Sequence, residues 1–180
     1  MSKNLPRLRK YTITAMCITL CAVLPLALHA IPGAANTVLP MHIPVLICGL
    51  VVGWKFGLMA GLFGPMLSSF TTGMPAPSYM PIMMIELAVY GMVCGLMMLI
   101  MHGRNKYVNI YTSLILAMIL GRIFAGAARA LFFAPGTVTM ALWVSSYFIT
   151  SLPGIILQLI IIPIIITALE KSGISYTTNA

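Results

Sequence analysis

The sequence predicts an all-α integral membrane protein: one compact bundle of six transmembrane helices covering residues 1–180, with both termini in the cytoplasm. Three observations carry this expectation. Of the 180 residues, 61% are hydrophobic and 7% charged, more apolar surface than a soluble core of this size can hide. Breaks at proline, glycine and charge divide the chain into six apolar segments. Lys and Arg fall on alternate connections, which sets the orientation. The net charge of +8 therefore marks the cytoplasmic loops and excludes the nucleic-acid partner that a basic chain would otherwise suggest.

The first segment, 11–28, follows Lys3, Arg7, Arg9 and Lys10. A basic start, an apolar run and "ALHAIPGAA" (Ala27 to Ala35) also resemble a cleaved secretory leader. The length of the run, its interruption by Pro25 and a Leu28/Ala30 pair at the cleavage positions favour a retained span. The second and third segments, 38–53 and 56–72, are short against the ~20 residues of a usual span and are expected to be tilted or irregular. Lys55 lies between them. Gly49, Gly53, Gly57 and Gly61 recur every fourth residue, a spacing that lets helix backbones approach closely in a membrane. Gly57, Gly61 and Gly64 form the better helical set.

The fourth segment, 81–101, is followed by Arg104 and Lys106, and the sixth, 142–169, by Lys171. The opposite connections, near 29–37, 73–80 and 134–141, carry no Lys or Arg. The fifth segment, 108–133, holds the two remaining basic residues, Arg122 and Arg129. The four cysteines (Cys17, Cys21, Cys48 and Cys94) lie in apolar segments without metal or redox spacing and are expected to pack as small hydrophobes.

Polar groups at membrane depth are costly, so each one is informative. Arg122 and Arg129 are seven residues apart and share a helix face with Gly126. Counted from the ends of their segments, Glu86 and Arg129 lie at matching depths, which predicts a neutralising pair. Arg122 then has no acid. Either backbone carbonyls or Gln158 hold it, or it awaits an anionic ligand.

His42 stands between Pro40 and Pro44 at the outer start of the second segment, placed for ligand contact or for helix-end hydrogen bonding. Tyr90 follows Glu86 by one turn. Asn36 and Tyr147 lie on the outer side, where Tyr79, Trp143 and Tyr147 also fit an interfacial aromatic belt. Asn36, His42, Glu86, Tyr90, Arg122, Arg129 and Tyr147 are the candidate substrate-binding residues of a pocket open to the outside.

Several functions are disfavoured. There is no nucleophile elbow, no zinc-protease helix motif and no phosphate-binding lysine loop. With two acidic residues in the chain, carboxylate-pair catalysis and acid-rich metal sites have little to work with. No catalytic residue, metal site or cofactor is expected. The sparse polar cluster suits a single-ligand site better than a channel, and no internal inverted repeat supports a self-contained secondary transporter.

The stretches "GLVVGWKFGLMAGLFGPMLSS" (Gly49 to Ser69) and "ELAVYGMVCGLM" (Glu86 to Met97) resemble the glycine-rich helix 2–3 turn and helix four of the substrate-binding (S) components of energy-coupling-factor (ECF) vitamin transporters. The resemblance covers nearly the whole chain. It implies a multi-pass protein of the bacterial cell membrane that binds a water-soluble vitamin or precursor near the outer face. It also implies partners, a transmembrane coupling (T) subunit and two ATPase subunits. In the family, helix one carries an Ala-x-x-x-Ala docking motif, and the nearest match here is Ala15-x-x-x-Thr19. Arg122 favours an anionic cargo such as pantothenate or another carboxylate. A neutral pyridoxine, pyrimidine or cobalamin precursor stays open if a protein group satisfies it. The rival class is a non-catalytic assembly subunit in which Arg122 pairs with a partner's acid.

Overall fold

The computed structural model describes residues 6–28, 38–101, 105–133 and 139–172, and every regular element among them is helical. Helix α1 spans Arg7–Leu28, α2 His42–Val52, α3 Trp54–Thr72 and α4 Met80–Ile100. Helix α5 spans Lys106–Ala128 and runs on into a π-helical turn, Arg129–Phe133. Helix α6 covers Met140–Lys171, broken by a second π turn at Ser145–Ile149. The six apolar segments correspond to these six helices, with ends that differ by about one turn at most. Helices α1, α4, α5 with its π turn, and α6 are long and apolar enough to cross a membrane. Helix α2, at 11 residues, is too short to do so alone.

Helix α4 is the central element: α3, α5 and α2 all pack on it, and α1 closes over α2 and α3. Glycine makes this possible. A Cβ added at Gly49 or Gly57 would overlap the Gly91 backbone, one at Gly61 would overlap Leu87, and one at Gly95 would overlap Trp54. Helices α2, α3 and α4 thus touch backbone to backbone. In a membrane, where lipid is as apolar as the side chains, such close van der Waals contact supplies much of the association energy. The α2–α3 connection is a single residue, Gly53, at φ 113°, a conformation that strains any residue with a Cβ.

Side-chain contacts tie the end of the bundle where α1 and α5 begin and α6 ends. Lys106 at the start of α5 forms an ion pair with Glu170 at the end of α6. The Tyr11 and Phe56 rings meet edge-on at 5.6 Å. All four cysteines are free and buried. Near the far end, Pro153 has no N–H to offer the carbonyl one turn back. The last α-helical piece of α6 therefore restarts at Leu152, and the segment before it, Met140–Ile149, forms a separate arm laid against α5.

Candidate functional site

The far half of the bundle holds a connected polar group drawn from several helices. Arg122, on the inward face of α5, is 2% exposed. Its Nε donates to the Tyr90 hydroxyl at 3.0 Å, and that hydroxyl donates to Glu86 Oε1 at 3.0 Å. His42, at the first turn of α2, lies with Nε2 3.5 Å from the same carboxylate oxygen, and its ring meets Tyr90 edge-on at 5.1 Å. The structure therefore brings His42, Glu86, Tyr90 and Arg122 together from three helices. Gly121 explains why Tyr90 can sit there. A Cβ at Gly121 would overlap the tyrosine ring, so glycine makes room for the ring against α5, with its hydroxyl at the neighbouring arginine.

The predicted Glu86–Arg129 pair does not form. Glu86 faces Tyr90 and His42, and among the described residues Arg129 makes no ion pair; its guanidinium sits 5.7 Å from the centroid of the Tyr79 ring. The cause is helix register. Contacts between α4 and α5 set Cys94 beside Ser113 and Tyr90 beside Gly121. Continued along two antiparallel helices, that register places Arg122 level with Glu86 and Arg129 level with Tyr79. The helix ends are not flush: α5 and its π turn overrun the start of α4 by about one turn. Gln158 does not hold Arg122 either; its Nε2 donates to the Leu39 carbonyl at 3.5 Å.

Arg122 is consequently fixed along one edge and open along the other. Among the described residues its Nη1 is buried without a hydrogen-bond partner, as are both ring nitrogens of His42 and Nε1 of Trp143. Unpaired buried donors are rare in native proteins, and each calls for a partner. Phe148 covers the guanidinium, with its ring centroid 5.4 Å from Cζ. Tyr147 is buried and its hydroxyl meets that of Tyr79 at 3.3 Å. Trp143 packs edge-on to Phe148 at 5.3 Å and lies against Gly126. Of the aromatic residues considered for an interfacial belt, Tyr147 is buried and Tyr79 and Trp143 are half-buried, with Tyr79 beside Arg129 and Trp143 against Gly126.

Asn36 lies outside the described residues. Ala15 and Thr19 are exposed on α1, with the Thr19 hydroxyl bonded to the Ala15 carbonyl at 3.0 Å. Their face is opposite the buried one formed by Thr14, Cys17 and Cys21. Sequence reasoning missed Phe148 and gave Trp143 no ligand role. The signal for Trp143 was Gly126, a small residue on the arginine face with room for a large neighbour. Phe148 carried no signal, because it is one of many apolar residues along α6.

A family model described as "ECF transporter, substrate-specific component" matches residues 9–166. No curated protein matches the chain.

Proposed function

The chain belongs to the family of ECF transporter substrate-specific components, and from that premise we propose that its cargo is a small, water-soluble organic anion of the vitamin or vitamin-precursor class. Family members are substrate-binding subunits that associate with a coupling subunit and ATPases, not catalysts. The observation that carries the anionic cargo is the buried, unpartnered Nη1 of Arg122. Tyr90, itself bonded to Glu86, holds the other edge of the guanidinium in place, so the free edge is oriented before a ligand arrives. A preorganised guanidinium edge is the geometry that recognises a carboxylate.

Charge supports the same cargo. Two arginines, Arg122 and Arg129, stand against one carboxylate, Glu86, in this half of the bundle, and a monoanion would balance them. His42 and Tyr147 complete the candidate wall, with Asn36 on the connection before α2. The Lys and Arg asymmetry supports an orientation with this half on the outer side of the membrane and both termini in the cytoplasm, and the family supports a bacterial cell membrane. Ala15 and Thr19, exposed on α1, are the candidate docking positions for the coupling subunit.

The experiment is mass spectrometry of small molecules released from protein purified gently in detergent. A stoichiometric carboxylate, lost from Arg122→Gln protein that still folds, is the expected result. A stoichiometric neutral vitamin would show that Glu86, through Tyr90, suffices for Arg122. No bound molecule after growth in rich medium would favour an assembly role.

A further inference from the structure

We propose that Trp143 is a second, specificity-determining donor, and that the cargo is a monocarboxylate carrying a hydrogen-bond acceptor apart from its anionic group. The inference rests on the anion-binding role of Arg122 and adds the second contact. Trp143 Nε1 is buried with no partner among the described residues, an arrangement that leaves a donor unsatisfied until an acceptor is supplied. Its place along the bundle is fixed by Gly126, since a Cβ there would overlap the indole nitrogen. Gly126 is one turn beyond Arg122 on the same face of α5, so the indole nitrogen lies about one turn farther along the helix than the Arg122 backbone. Phe148 joins them: its ring covers the Arg122 guanidinium and meets the Trp143 indole edge-on. Two oriented donors with an aromatic surface between them fit a compact molecule that has an acid at one end and a carbonyl, hydroxyl or ring nitrogen at the other. A plain fatty acid offers Trp143 nothing to accept its proton. A site built to hydrogen-bond such a group rejects an analogue lacking it, because the donor is then left buried and unpaired.

The chain has two tryptophans, and the other, Trp54, lies at the α2–α3 turn, on the far side of the glycine contacts. Trp54→Phe protein therefore reports on Trp143 alone. Pantothenate, nicotinate and biotin, each a monocarboxylate with a second acceptor, would be titrated against hexanoate, which has only the acid. At least one of the three is expected to shift Trp143 emission and to bind more tightly than hexanoate. By calorimetry, Trp143→Phe, which keeps an aromatic ring and removes the donor, is expected to weaken that ligand about ten-fold while leaving hexanoate unchanged. If Trp143→Phe binds the same ligand with unchanged affinity while Arg122→Gln does not bind it, the anion site stands and the second-donor role is overturned. If none of the carboxylates binds folded protein, the anion site fails and the second donor with it.

Discussion

At the scale of single residues, the chemistry concentrates in a chain of three side chains. Glu86, Tyr90 and Arg122 form a hydrogen-bonded relay in which the tyrosine hydroxyl stands between opposite charges. Tyr90→Phe keeps the ring against Gly121 but leaves both neighbours short of a partner. It is expected to cost about 1–3 kcal/mol of stability, read as a lower melting temperature in detergent. Arg122→Gln is expected to weaken the cargo by about 2–5 kcal/mol, roughly thirty-fold or more, in equilibrium binding. A double-mutant cycle discriminates between the two arginines. Glu86→Gln and Arg129→Gln should act additively to within about 0.5 kcal/mol, whereas Glu86→Gln and Arg122→Gln should couple by more than that. Strong Glu86–Arg129 coupling would contradict the register described above.

At the scale of helices, glycine decides which faces meet. A Cβ at Gly91 would overlap the Gly57 backbone, so a methyl group there must push α3 away from α4. Gly91→Ala is expected to destabilise the fold by about 1–3 kcal/mol, and Gly73→Ala, where a Cβ meets nothing within 4 Å, is a useful contrast because its cost comes only from a φ of 72°. If Gly91→Ala melts like the parent protein, the close approach is not important to stability. This is also the scale at which the sequence was most and least legible. The apolar segments and their breaks are visible because bilayer thickness and proline chemistry act locally. The residues of the relay are visible because buried charge is rare. Which arginine meets Glu86 is not visible, because depth counted from segment ends assumes flush helices. The real register is set by Gly121 under Tyr90, a contact between residues 31 positions apart in sequence.

At the scale of the whole molecule, the chain is one part of a larger machine. It holds no nucleotide-binding motif, and its family associates with ATPases and a coupling subunit. In proteoliposomes it is expected to bind cargo but to accumulate none, with uptake appearing only when the coupling module and ATP are added. Gradient-driven uptake by the chain alone would overturn this assignment. The backbone contacts among α2, α3 and α4 have a mechanical consequence for such a machine. Those three helices form one stiff slab. The arm Met140–Ile149, which carries Trp143, Tyr147 and Phe148, is joined to the rest of α6 through the break before Pro153. Amide hydrogen exchange should divide along that line, slow in the slab and fast in the arm. A cargo that bridges Arg122 and the arm would act as a clasp, and its arrival would be recorded as new protection on the arm alone.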